Sequence, residues 1–376
     1  MKNKLFLAIF SFCWLSAANS FGQTVSFITN IYSRDTDGFA CYRIPAIVKS
    51  LNGTILAFAE ARKNSCSDTG DIDLVLKRST DGGRTWSETI TVWNDGANVC
   101  GNPAPVVDRQ TGRILLLSTW NRGDLPEGKT AAGFGEDSRR VFCLYSDDEG
   151  RTWSQPEEIT SFVKRPEWAW YATGPCHGIQ LQTGKYRNRI VIPANHDVKR
   201  AKERHSHVIC SDDSGKTWRL GGVVAEKGGN ESSVVELKNG HLMLNMRNYN
   251  RDASPTRAYA ISKDGGETWS EMRYAPELIE PVCQGSIIHL VKKRKITATL
   301  LFSNPASTDK RKNMTVRMSH DSGKSWKVAI PVYSGPTAYS DMLLLDDNHI
   351  GLLYEYGKES PYEQIGFATI RLPVRH

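Results

Sequence analysis

The chain has 376 residues, 39% of them hydrophobic and 24% charged, with a formal net charge of +7. That is the composition of an ordinary globular protein with ample core. No block of basic residues is interleaved with aromatics, which argues against a nucleic-acid partner, and the run 199–205 (KRAKERH) reads as a solvated loop.

Residues 1–22 (MKNKLFLAIFSFCWLSAANSFG) combine a basic start, a short apolar run and a tail of small residues. This pattern predicts a cleaved secretory signal and an exported protein, periplasmic or extracellular. No second hydrophobic stretch is long enough to span a membrane. Loss of Lys2 and Lys4 with the signal leaves a mature domain, 23–376, with a charge near +5, a mild hint of an anionic ligand. Seven cysteines then remain, scattered and without CxxC pairs, so neither a disulfide scaffold nor a zinc site is expected. One or two bridges are compatible with the count, and at least one thiol stays unpaired.

The segment 41–48 (CYRIPAIV) has the β-branched and aromatic content of a buried strand, interrupted by Arg43 and Pro45. A guanidinium is seldom buried unless an anion meets it. Proline is tolerated at a sheet edge, and strand alternation sets Arg43 on the face opposite Ile44 and Val48.

Further along, STDGGRTW, SDDEGRTW, SDDSGKTW, SKDGGETW and SHDSGKSW begin at Ser79, Ser146, Ser211, Ser262 and Ser319. All five fit S-x-D-x-G-x-[ST]-W, and each follows a short apolar strand. In such a box the aspartate can accept local backbone N–H groups and the glycine can take positive φ. The tryptophan opens the next strand and is placed to pack between sheets. Each box is therefore a hairpin turn inside a sheet of about four strands, a scaffold element rather than a calcium or catalytic site. Five boxes plus a box-free C-terminal segment predict an all-β fold, a six-bladed β-propeller of four-stranded antiparallel blades.

Two more arginines repeat the pattern of Arg43. Arg247 ends the Leu/Met-rich run LMLNMR, and Arg317 lies between Val316 and Met318 just before the fifth box. Each alone reads more readily as a snorkelling side chain than as a ligand. Three on comparable strands suggest convergence on one carboxylate, which a planar fork pairs bidentately.

YRIP near the mature N-terminus, the Asp boxes and the ordered arginines together resemble the exo-sialidase (neuraminidase) family of bacteria and animals. FAEAR, NPAPVVD, GPCHGIQL, NESSVVELKNGHLMLNMRN, EPVCQGS and LLYEYG are also similar to segments of its secreted bacterial members. The resemblance implies a propeller that cleaves terminal sialic acid from sialylated glycans, with Arg43, Arg247 and Arg317 holding the substrate carboxylate. It further implies Asp68 as acid/base, Tyr339 as nucleophile with Glu231 as its partner, Glu355 orienting Arg43, and Arg62 as an additional substrate-side arginine. No cofactor or metal is implied, and a monomer is expected. Asp71 and Asp73 compete with Asp68 for the acid/base role.

The chemistry gives these residue types a reason. Sialic acid carries its carboxylate on the anomeric carbon, so a carboxylate nucleophile would be repelled. Sialidases with a tyrosine nucleophile are an exception to the two-carboxylate rule. A phenol is neutral until it attacks, and Glu231 can take its proton. Asp68 must hold a proton to protonate the leaving oxygen, so a raised pKa is expected of it. The aromatic run Trp168, Trp170 and Tyr171 offers an aglycone platform or inter-blade packing, and His177 reads as structural. A trans-sialidase, a hydrolase of deaminated sialic acid and a non-catalytic sialoglycan-binding propeller are the alternatives. An intact Tyr339, Glu231 and Asp68 set argues against the last.

Overall fold

The computed structural model describes residues 25–198 and 202–373, so the expected signal segment 1–22 lies outside the described residues. Within them the chain is all-β, with only one α-helical turn, Thr160–Val163, and one 3-10 turn, Glu127–Lys129. No helix among the described residues is long and apolar enough to cross a membrane.

The strands form antiparallel ladders in chain order. Cys41–Lys49, Ile55–Arg62, Ile72–Ser79 and Ile90–Trp93 make the first, and Val99–Val107, Ile114–Asn121, Arg140–Ser146 and Glu157–Glu158 the second. A single parallel bridge, Ile72 to Val99, merges these two into one sheet. Tyr171–Thr173 and Ile179–Gln180 both pair with Ile190–Val198, which continues to Glu203–Ser211 and Arg219–Val223. Gly229–Glu236 to Arg273–Ile279 form a separate four-stranded sheet. The 17-residue strand Val328–Leu344 closes one ladder with Lys312–Ser319 and opens the next with His349–Tyr356. That last ladder is completed by Gln364–Arg371 and, from the N-terminus, by Val25–Ser33.

The repeated boxes take the turn geometry expected of them. In the second, Asp148 accepts Thr152 N and Arg151 N at 2.9 and 3.0 Å and the Thr152 hydroxyl at 2.7 Å. Gly150, at φ +80°, donates its N–H to Ser146 Oγ at 2.8 Å. A side chain there would collide with Leu56 and Leu76 of the preceding ladder, which is why the position is glycine. The box tryptophans pack between ladders: Trp153 meets Phe58 edge-on at 5.7 Å, and Trp86 meets Phe367 at 5.4 Å. These inter-ladder clusters form the core.

The first strands of the ladders meet at a common interior. Asp341, fully buried, accepts Ile47 N at 2.9 Å, His177 N at 3.0 Å, His177 Nδ1 at 2.7 Å and the Ser286 hydroxyl at 2.7 Å. One carboxylate thus ties three separate first strands or their approaches to a fourth. His177 is held in this hub, as its structural reading expects, and Asp341 raises its pKa against the opposing effect of burial.

Box position marks a direction. Ile55 pairs with Ser79 of the first box at one end of its strand, and Arg62 lies at the other. The same holds for Leu242, paired with Ser262, and Arg247 beyond it. The ends of the ladders remote from the boxes surround the candidate site.

Candidate active site

At that remote end lies a cavity of about 340 Å³ whose walls include Arg43, Arg62, Asp68, Glu231, Arg247 and Tyr339. Six of the eight residues singled out in the sequence therefore meet, from segments up to about 300 residues apart. Glu355 lies beneath, fully buried. Arg317 is not among the lining residues.

Arg43 is delivered by a backbone irregularity that the alternation pattern did not foresee. Pairing with the second strand shifts between Arg43 and Ala46, and Ile44 takes φ +59°. A β-branched residue rarely adopts that conformation, so something must hold it there. Glu355 does: it accepts Ile44 N at 2.9 Å, Arg43 Nε at 2.8 Å and Tyr339 N at 3.0 Å. Proline at 45 suits the bulge because it lacks the N–H that a ladder would need there. Burial alone would lower the pKa of Arg43, but Glu355 outweighs it and raises the value, so the guanidinium stays charged. Tyr362 stacks on it, ring centroid 3.9 Å from Cζ.

Tyr339 donates its hydroxyl proton to Glu231 Oε1 at 2.6 Å. Arg247 Nη1 reaches both Glu231 Oε2, at 2.7 Å, and the Tyr339 oxygen, at 3.2 Å. Burial, and then the Glu231 charge, push the phenol pKa well above its ordinary value, while Arg247 and Arg311 pull the other way. The tyrosine is thus protonated, with a carboxylate positioned to receive its proton.

The third arginine of the cluster is Arg311, not Arg317. Arg311 lines the cavity, lies 5.5 Å from the Tyr339 ring and donates to the Tyr362 hydroxyl at 2.8 Å. Strand Lys312–Ser319 starts at the cavity and runs into the fifth box, so Arg317 falls at the box end. There Arg317 is half-buried, its Nε makes no hydrogen bond, and the charge of Glu277 acts on it against the effect of burial. Sequence reading missed Arg311 because Lys310 and Lys312 make it look like part of a solvated turn. Tyr362 was missed too, and nothing in SPYEQ marks it.

Asp68 is in place but not in the expected state. Its carboxylate pairs with Arg62 Nη2 at 2.7 Å. The protein walls around it would raise its pKa by partial desolvation, yet Arg62 and then Arg43 outweigh that, and the value is lowered rather than raised. Arg62 is itself held by Glu60, whose Oε2 accepts its Nη2 and Nε at 2.6 and 3.1 Å. Asp71 and Asp73 do not line the cavity, and Asp73 is buried in the ladder opposite Ala61.

The aromatic run divides. Trp168 is buried, stacked on His196 at 3.4 Å, and Tyr171 is buried beside it, so both serve packing. Trp170 does line the cavity, beneath Arg139 at 3.9 Å. Arg139 is bound only by the neutral groups of Asn102, Asn121 and Thr119, and burial pushes its pKa down to about 10. One disulfide, Cys41–Cys66, flanks the site, and the other five described cysteines are free and buried.

The arrangement is a concentrated positive field, a protonated phenol with a base in contact, and an exposed carboxylate opposite. It suits an acid substrate whose reacting carbon lies close to its own carboxylate.

Residues 53–354 match the model of the BNR repeat-like domain. A sialidase of Bacteroides fragilis is 33% identical over 341 residues, 85% of this chain and 60% of that protein. An exo-alpha-sialidase of Arthroderma benhamiae is 33% identical over 344 residues, 85% of this chain and 78% of that one. Among solved structures, the Hadza microbial sialidase Hz136 superposes with a TM-score of 0.80 at 32% identity, covering 89% of this chain and 66% of that chain. This chain spans less than two thirds of the Bacteroides fragilis protein it matches.

Proposed function

Because the chain belongs to the sialidase family, we propose that it is an exo-α-sialidase releasing terminal sialic acid from sialylated glycans by a double displacement with retention. The observation that carries this reading is the Tyr339–Glu231 hydrogen bond of 2.6 Å set beside Arg43, Arg247 and Arg311. We read the ladders as six four-stranded antiparallel blades, with Val328–Leu344 shared by two of them. Export directed by residues 1–22 and action as a monomer belong to the same proposal.

In this reading Arg43, Arg247 and Arg311 clamp the sialic acid carboxylate and place the anomeric carbon over Tyr339. Glu231 takes the phenolic proton as the tyrosine oxygen attacks, and Arg247, in contact with both, offsets the charge that develops. Asp68 delivers a proton to the glycosidic oxygen as that bond breaks. Water, deprotonated by Asp68, then opens the tyrosyl intermediate from the face the leaving group vacated. Asp68 is paired to Arg62 in the free protein, so it must gain its proton when substrate enters and separates the pair.

The test is release of a fluorescent aglycone from an α-sialoside by the wild type and by Tyr339→Phe, with the first-formed anomer read by proton NMR. Wild-type turnover giving the α-anomer, with a loss of about a hundredfold or more in the variant, is expected. Release of the β-anomer, or a variant as active as wild type, would remove the tyrosine mechanism. Addition of an acceptor sugar separates hydrolysis from transfer.

A further inference from the structure

The only disulfide among the described residues joins Cys41, the first residue of the strand carrying Arg43, to Cys66 in the loop carrying Asp68. That loop, 63–71, runs between two paired strands but has almost no backbone attachment of its own. Lys63 N bonds Asp71 O at 3.0 Å across its base, and Gly70 N bonds Gly123 O at 2.8 Å near its exit. Between them Ser67 N and Thr69 N bond only the hydroxyls of Ser65 and Ser67, two residues back and exposed. Two things fix the apex to the body. One is the disulfide. The other is Arg62, which donates to Cys66 O at 2.6 Å and pairs with Asp68 at 2.7 Å.

The proposed reaction removes part of the second restraint. To protonate a leaving group, Asp68 has to turn away from Arg62, and its side chain is 74% exposed with no other partner to guide it. A carboxylate on an untethered serine-rich apex would sample many positions, and proton transfer needs hydrogen-bond reach. The bridge two residues before Asp68 limits that freedom, and it is anchored two residues before the clamp arginine. A covalent link thus joins the loop of the acid to the strand of the clamp arginine.

We propose that the Cys41–Cys66 disulfide is a positioning tether for Asp68, so that its reduction selectively disables general-acid catalysis while leaving the fold and the carboxylate clamp intact. This rests on the sialidase reading above. Cys66 is half-exposed and open to reductant, whereas the five free thiols are buried. A dithiol donates two electrons and two protons: the S–S bond breaks, Cys41 and Cys66 become thiols, and the reductant closes to its own disulfide.

The experiment compares two sialosides with oxidised and dithiothreitol-reduced wild type, and with Cys41→Ser/Cys66→Ser. Methyl α-sialoside has a poor leaving group and needs the acid; 4-nitrophenyl α-sialoside departs with little protonation. Reduction is expected to lower kcat/KM, which reports only the steps up to departure of the aglycone, about tenfold or more on the methyl sialoside, to change it less than about threefold on the nitrophenyl sialoside, and to leave the protein folded at the assay temperature. The double variant should reproduce the reduced pattern and ignore reductant. Equal losses on both substrates, or no loss on either, overturn the tether. Oxidised wild type inactive on both substrates removes the sialidase reading and the tether with it.

Discussion

At the box end of the ladders, aspartates are saturated by partners within four residues of sequence. Asp148 takes bonds from Ser146, Arg151 and Thr152 and from nothing else. At the cavity end, Glu355 holds Arg43, 312 residues away, and Glu231 holds Tyr339, 108 residues away. The box carboxylates are satisfied locally, while Glu355 and Glu231 are buried and join different ladders. Residue type is shared between the two ends; the distance along the chain to the partner is not. The boxes shape single turns, whereas these two cavity pairs bind ladders together.

The sharpest way to break this comparison is Glu355→Gln. It leaves the buried Arg43 guanidinium without counter-charge and weakens the hold on Ile44 N and Tyr339 N. Loss of one partner of a buried pair costs about 3–5 kcal/mol, to be read from the denaturant midpoint, together with turnover. Equal loss from a box variant would show that the two ends do not differ in kind.

Next in size is the pair Arg311→Ala and Arg317→Ala. Removal of two charge-assisted hydrogen bonds to a substrate carboxylate should lower kcat/KM about a hundredfold or more. Arg317 does not line the site cavity, and its loss should change kcat/KM by less than about twofold. The opposite ranking would return Arg317 to the site.

That pair also shows what the sequence made legible. Boxes could be read because serine, aspartate, glycine and threonine satisfy each other within one octapeptide, and their recurrence pointed to the all-β class. Arg43 and Arg247 stood out as charges on apolar strands, whereas Arg62, Asp68, Glu231 and Tyr339 came through motifs resembling a family. Arg317 was chosen because it sits mid-strand beside a box, but adjacency to a box places a residue at the wrong end. That strand begins one residue after Arg311, at the end remote from the box, so Arg311 could have been inferred from box position and strand direction alone. The Ile44 bulge and the Asp68–Arg62 pair were not readable, since each depends on a contact that only the assembled fold creates.

Acid should distinguish the two ends. Near the cavity end, His207 is fully buried, bonded to the His196 ring at 3.0 Å and the Tyr171 hydroxyl at 2.8 Å, with Trp168 packed on the cluster. Burial first, then Arg165 and His205, lower its pKa from 6.5 to about 3. The unfolded chain therefore takes up a proton that the fold refuses. Stability is complete above pH 6.5 and is lost as pH falls toward 3. The loss at pH 5 is about 2 kcal/mol. Box carboxylates are depressed instead, Asp148 to about 2 despite the opposing effect of burial, by bonds from Thr152, Ser146 and Arg151. Their contribution is present above the ordinary aspartate range and fades only below about pH 4. Thermal melts from pH 7 to 3 should thus fall in two stages, and His207→Gln should lessen the first, to which the buried and likewise depressed His196 and His289 also contribute, while leaving the second unchanged. A single fall below pH 4 would remove the histidine contribution.

The smallest effect is expected from a box itself. Asp264 accepts Thr268 N at 2.9 Å, its hydroxyl at 2.5 Å, and Glu267 N at 3.1 Å, in an exposed turn where water can replace each bond. Asp264→Ala should therefore cost about 1–2 kcal/mol. Activity should remain near wild type, because the turn lies at the far end of the ladder that carries Arg247. A large fall in kcat with little change in Tm would mean that the box end communicates with the cavity. Separation of the two ends would then be a matter of geometry only, and the strands between them would have to transmit more than position.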